Sequence, residues 1–273
     1  MSGRDPAHSK TTERHVAIML IDTHCHLDFK DFAKDRDVVI RRSREEGVSS
    51  IINVGSSLQG TIDSIEIAEK NDSIYAAAGI HPHEADVLKE SDMVLFGNCF
   101  SSRRIVAVGE IGLDYYRHIS SKDSQKRLFI RLLEEALDRS LPVIIHNRDA
   151  HQDTLAILKD VMGSSIKGVM HCFSGDRVFL EECLKMGLSV SFTCNLTFKN
   201  AARLKEIAKL VPMERLLLET DAPFLAPQIF RGKRNEPGYL KYLAEELSGI
   251  KDLSFEEVAR ITTENAKQLF NLC

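Results

Sequence analysis

Residues 17–27 read Ala17-Ile18-Met19-Leu20-Ile21-Asp22-Thr23-His24-Cys25-His26-Leu27. A short apolar run of this kind, rich in Ile and Leu, reads as a buried strand. It ends in two imidazoles placed two residues apart. Residues i and i+2 of a strand point to one side, so His24 and His26 can face one ion together. A polar side chain at the end of a buried strand is costly unless it is paired or coordinated. Alone, His-x-His is a weak signal, equally open to a solvent-facing or capped pair. The same arrangement recurs along the chain: Glu110 after residues 105–108, His146 after 142–145, His171 after 167–170 and Asp221 after 216–218. Ligands at the ends of strands that alternate with helices converge on one face only if those strands are parallel.

The intervening sequence supplies that alternation. Strands are predicted at residues 18–22, 50–54, 74–79, 105–109, 142–145, 167–170, 188–192 and 215–219. Helices are predicted at 35–46, 58–70, 84–96, 121–140, 150–161, 177–186 and 200–210, with two closing helices near 238–248 and 254–269. In the helix at 121–140, Leu128, Leu132, Leu133, Ala136 and Leu137 form one apolar stripe. Eight parallel strands, each followed by a helix, close into a (β/α)8 TIM barrel with its site at the C-terminal ends of the strands. An open doubly wound sheet would need a phosphate fingerprint after its first strand, and none is there. With no linker and no internal repeat, residues 18–273 read as one barrel domain. Residues 1–17 are polar and without period, and read as a disordered or appended arm.

The bulk numbers narrow the class. The chain has 273 residues, 43% hydrophobic and 28% charged, enough for one large core. A net charge of -4 excludes a protein that coats nucleic acid through bulk positive charge. The cysteines are scattered and form no Cys-x-x-Cys pair, and the N-terminus carries no apolar leader, so a reduced, cytoplasmic setting is expected. Cys25 and Cys172 adjoin candidate ligands, but strand alternation turns Cys25 away from His24 and His26. No stretch is long and apolar enough to span a membrane, and no obligate protein partner is evident.

The ligand types indicate the chemistry. Glu110 reads as a carboxylate that bridges two cations, one oxygen to each, which offsets their mutual repulsion. Asp221 closes the ring beside the first strand, where it can bind one ion and take a proton from water. His146 and His171 stand at equivalent positions on consecutive strands, and Asp114 can orient a ligating histidine. Arg148, two residues past His146, suits a phosphate clamp. Arg231-Gly232-Lys233-Arg234 is predicted to overhang the site, with Arg234 touching a phosphate backbone. The imidazole-rich set suits Zn, Mn, Fe or Co on ligand softness.

At this point the chain resembles the TatD family of metal-dependent deoxyribonucleases, within the amidohydrolase-like barrels. The matching stretches are Ile21-Asp22-Thr23-His24-Cys25-His26-Leu27, Gly79-Ile80-His81-Pro82-His83, Gly109-Glu110-Ile111-Gly112-Leu113-Asp114-Tyr115, His146-Asn147-Arg148-Asp149-Ala150, His171-Cys172-Phe173-Ser174-Gly175, Thr197-Phe198-Lys199, Leu218-Glu219-Thr220-Asp221-Ala222-Pro223 and Arg231-Gly232-Lys233-Arg234-Asn235-Glu236-Pro237. The resemblance implies one ion on His24, His26, Glu110 and Asp221, and a second on Glu110, His146 and His171. It implies a substrate phosphate or a ligated water on His81, admits Mg beside Mn and Zn, and suggests a 3′-to-5′ exonuclease with DNA as substrate. Glu110 and Asp221 would be catalytic. Where many relatives carry a glycine-containing turn, this chain has Thr193-Cys194-Asn195, which bears on substrate preference. An amide, ester or other small-molecule hydrolase, a D-aminoacyl-tRNA deacylase and a metal-bearing scaffold remain as rival readings of the same ligand set.

Overall fold

The computed structural model describes residues 19–272. The arm at residues 1–17, and Ile18 of the expected first strand, lie outside the described residues. Eight strands form one sheet in the order β1-β2-β3-β4-β5-β6-β7-β8, every pair parallel. They are β1 Leu20–Cys25, β2 Val48–Val54, β3 Ile74–Ala78, β4 Ile105–Asp114, β5 Val143–Arg148, β6 Gly168–Met170, β7 Ser189–Phe192 and β8 Leu216–Leu218. The helices are α1 Arg36–Glu45, α2 Leu58–Glu69, α3 Glu90–Cys99, α4 Lys122–Arg139, α5 His151–Met162, α6 Arg177–Lys185, α7 Ala202–Leu210, α8 Leu240–Lys251 and α9 Phe255–Phe270. This is the (β/α)8 barrel expected from the alternation.

Parallel strands covered on both faces read as continuous apolar runs, and β4 is buried at every one of its ten positions. Inward residues Ile21, Ile52, Val54, Ala77, Ala107, Ile144, Val169 and Leu217 fill the barrel together with Phe270 of α9. The outer layer packs helix against sheet: Leu128, Phe129, Leu132, Leu133 and Ala136 of α4 are all buried. Each of the Leu and Phe side chains contributes about 2 kcal/mol by leaving water. Leu137, assigned to the same stripe, falls at its edge and is 45% exposed. No helix among the described residues is long and apolar enough to cross a membrane.

Two departures from the expected elements matter for the site. Strands β1, β4 and β5 run past their expected ends, so His24, Glu110 and His146 lie within strands. Conversely, the helix expected at 84–96 begins at Glu90. Pro82 instead opens a single 3-10 turn, and the Lys89 N–H donates to Asp92 Oδ2 (3.0 Å), starting α3 there.

Glycine makes the extension of β4 feasible. A Cβ on Gly79 would lie 2.1 Å from the Glu110 nitrogen and 2.1 Å from the Gly109 carbonyl carbon. On the opposite side Gly112 has φ +144°, and a Cβ there would lie 2.0 Å from the His146 oxygen. Only bare backbone at these points lets β4 pass between its neighbours with Glu110 turned into the barrel mouth. Gly79→Ala is therefore expected to destabilise the metal-free chain by about 3 kcal/mol in urea unfolding, from the cost of overpacking against backbone. An unchanged midpoint would show that the strands separate freely there.

Candidate metal centre

The barrel's seam brings the ligands together. The Asp221 N–H donates to the His24 oxygen (2.8 Å) and the His26 N–H to the Ala222 oxygen (2.8 Å), joining the segment after β8 to the end of β1. Buried Asp22 accepts from Thr220 N–H (2.9 Å) and the Thr220 hydroxyl (2.5 Å). Burial pushes the Asp22 carboxyl up to about 8, against the pull of its Thr220 hydrogen bonds. Asn235 Nδ2 holds the Thr220 oxygen (2.9 Å).

Glu110 sits at the centre, 4% exposed. Its Oε2 lies 3.6 Å from His24 Nε2 and 3.8 Å from His26 Nε2. The same two nitrogens are 3.2 Å apart and stand 3.9 and 3.5 Å from Asp221 Oδ1. Its Oε1 faces the other way, 2.7 Å from His146 Nδ1, 3.4 Å from His171 Nε2 and 3.8 Å from His81 Nε2. All six expected ligands thus converge, with one Glu110 oxygen toward each group.

The second nitrogen of two rings fixes what the first can do. His26 Nδ1 meets the Val54 carbonyl (2.8 Å) and His146 Nε2 meets Asp114 Oδ2 (3.3 Å). These partners accept, so both nitrogens carry the hydrogen. His171 Nδ1 lies 2.8 Å from Glu219 Oε1 as an ion pair, outside hydrogen-bond alignment. Each neutral ring then presents a lone pair toward Glu110 or its neighbours, where a carboxylate oxygen already stands. A cation, or a proton on each ring, is required to hold such a set together. Donor spacings near 3.2–3.9 Å suit ligands of one small cation, which would stand about 3.4 Å from one another in a tetrahedral site. The residues present therefore fit a metal.

The titration shifts follow. Burial pulls His171 down, but Glu219 and Glu110 outweigh it and lift it to about 10. Burial likewise pulls His26 down, but Asp221 and Glu110 outweigh it and lift it to about 9. Burial would raise Glu110, yet the surrounding imidazoles hold it well below the usual carboxylate range. Burial dominates at His81 and lowers it to about 3. His81 Nδ1 accepts from the His83 N–H (3.2 Å), so its Nε2 carries the hydrogen and acts as a donor.

A cavity of about 760 Å³ opens over this cluster, and His81, His83, Arg117, Arg148, Asn195 and Phe224 are among its walls. Arg148 lies over the Tyr116 ring, 3.9 Å from its centroid. Asp114 orients His146, as expected. Arg234 corrects its expectation. Its guanidinium binds both Asp35 oxygens (2.8 and 2.7 Å), Glu236 Oε1 (2.9 Å) and the Asp31 oxygen (2.6 Å), and is absent from the cavity wall. Nearby acidic residues, not the substrate side, take its charge. Two residues escaped the sequence reading. Glu219, two before Asp221, was given no role yet turns His171; its signal was a carboxylate inside an apolar strand. Arg117 supplies the wall cation once sought in Arg234. Cys25 is buried in the core, turned from the histidines.

The barrel and its histidine-lined mouth are those of the metal-dependent hydrolases. Within them the chain belongs to the TatD-related DNase family, whose family model matches residues 21–271. The uncharacterized metal-dependent hydrolase YabD of Bacillus subtilis is 45% identical over 254 residues, covering 93% of this chain and 100% of its own. The 3′-5′ ssDNA/RNA exonuclease TatD of Erwinia tasmaniensis is 36% identical over 261 residues, covering 93% and 100%. The crystal structure of YjjV, a TatD homolog from Escherichia coli, superposes with a TM-score of 0.87 at 29% identity, covering 93% and 98%.

Cation binding should displace the ring protons. His26 and His171, raised to about 9 and 10, hold protons at pH 7.5 in the metal-free chain and must release them to coordinate. Calorimetry in buffers of differing ionisation enthalpy is expected to show release of on the order of two protons, with affinity falling as pH is lowered. Glu219→Gln is expected to release fewer protons and to weaken binding about 10- to 100-fold. Binding with no proton release would contradict the assigned ring states.

Proposed function

We propose that this chain is a divalent-metal-dependent phosphodiesterase that removes nucleotides from DNA in the 3′-to-5′ direction. The observation that carries the reading is Glu110, whose two oxygens face separate histidine groups 2.7–3.8 Å away under an arginine-walled cavity. In this reading His24, His26, Asp221 and Glu110 would hold one cation, and Glu110, His146 and His171 the other. Bound there, two cations would supply an activated water and positive charge for the phosphoryl oxygens. A relative of similar length carries the name 3′-5′ ssDNA/RNA exonuclease, which supports the substrate and the polarity.

The chain's own groups divide the remaining work. Asp221 lines the cavity, and although burial opposes ionisation, the histidines keep its carboxyl below the usual range. It is therefore ionised and placed to accept the proton that the attacking water loses. His81 is neutral with its hydrogen on Nε2, so it donates to a phosphoryl oxygen without adding charge. Arg148, its guanidinium carbon 3.9 Å from the Tyr116 ring centroid, offers a paired donor edge to a phosphate. Glu219 and Asp114 turn His171 and His146 and touch no substrate in this scheme. A chain of net charge -4 can still take a polyanion, because local charge at the site governs the contact.

The test is hydrolysis of 5′-end-labelled single-stranded DNA by metal-stripped protein with Mg, Mn or Zn restored. Stepwise shortening that requires metal is expected, and Glu110→Ala is expected to lower the rate about 1,000-fold, since both cation groups lose an oxygen. Metal-loaded protein that leaves every strand intact would move the reading to a small-molecule ester or amide hydrolase. Release of the amino acid from mischarged tRNA would identify a deacylase instead.

A further inference from the structure

We propose that Phe29, Phe224 and Leu225 form a subsite for the base of an unpaired nucleotide, opposite a phosphate-holding wall of Arg117 and Arg148. The inference rests on the nuclease reading above and adds a recognition element to it.

The cavity mouth is chemically two-sided: Phe29 follows β1 and Phe224 and Leu225 follow β8, whereas Arg117 follows β4 and Arg148 ends β5, across the eight-stranded ring. On one side an aromatic ladder rises from the metal ligands to solvent. Phe29 stacks on His26, centroids 4.6 Å apart and planes 17° from parallel. Phe224 stands edge-on to Phe29 at 5.9 Å and is 51% exposed. A turn closed by the Phe224 N–H donating to the Asp221 oxygen (2.9 Å) fixes Phe224 three residues beyond Asp221. Leu225 follows with φ +56°, a left-handed conformation uncommon for leucine, and it too lines the cavity. On the other side Arg148 lies against Tyr116, and Arg117 joins it on the wall.

A nucleotide has the same division, an apolar ring face and an anionic phosphate. With its phosphate against the arginine side, its base meets the phenylalanine side. Every base offers a π-face, so such a wall tolerates sequence. A base stacked and paired within a duplex has no face to offer until it is extruded, so the subsite selects unpaired ends. Asn195, on the loop after β7, adds an amide to the cavity wall.

The test compares two 5′-labelled single strands that differ only in whether the 3′-terminal nucleotide carries a base, using metal-loaded full-length protein. Wild type is expected to favour the base-bearing strand about tenfold in kcat/KM, as base–aromatic stacking implies. Phe224→Ala is expected to bring that ratio to within about twofold, and Phe224→Trp to retain it. The ratio is internal to each variant, so a reduced fraction of folded protein does not affect it. Equal rates on the two strands in wild type, or an unchanged ratio in F224A, would overturn the subsite and leave the nuclease reading standing. Cleavage of neither strand by metal-loaded wild type would overturn the nuclease reading and the subsite with it.

Discussion

A carboxylate buried at 4% exposure has to be met by positive charge, and the mouth of this barrel is organised around that requirement at Glu110. Five imidazoles come within 4 Å of its two oxygens. Two of those rings are in turn pinned by acceptors, the Val54 carbonyl and Asp114, and a third, His171, pairs in charge with Glu219. The pinning removes the freedom of each ring to rotate or change tautomer. What is left is a set of lone pairs aimed inward, stable only with cations or protons among them. The lone pairs that take up protons in the metal-free site are the ones a cation would need, so protons and a cation compete for them.

Backbone geometry sets where Glu110 can be. Gly79 and Gly112 remove side chains where β4 crosses its neighbours, and the seam from Asp221 to His24 and from His26 to Ala222 closes the barrel at the ligands themselves. Asp22 and Thr220, buried beside the seam, connect its two strands without facing the cavity.

The sequence made the fold and the convergence of six polar side chains legible for one reason: each closes an apolar run, a pattern buried strands tolerate only with coordination or pairing. Contacts across the chain were harder to read. Glu219 receives no role from the sequence, because nothing local ties it to His171, 48 positions earlier in the chain. Arg234 looked like an overhanging cation, because its pairing with Asp35 joins residues 199 positions apart. The true length of β4 was obscured by glycines that usually signal a strand's end. The late start of α3 was set by Pro82 and the Lys89–Asp92 contact, not by apolar period.

The central claim is that Glu110 bridges two cations. Electron paramagnetic resonance of the chain loaded with two equivalents of Mn(II) tests it directly. A carboxylate-bridged pair about 3.5–4 Å apart gives a spin-coupled spectrum with closely spaced hyperfine lines. The account predicts that spectrum in the native chain and its replacement by the isolated-ion signal in Glu110→Gln. Two bound ions giving only isolated-ion signals in the native chain would contradict it.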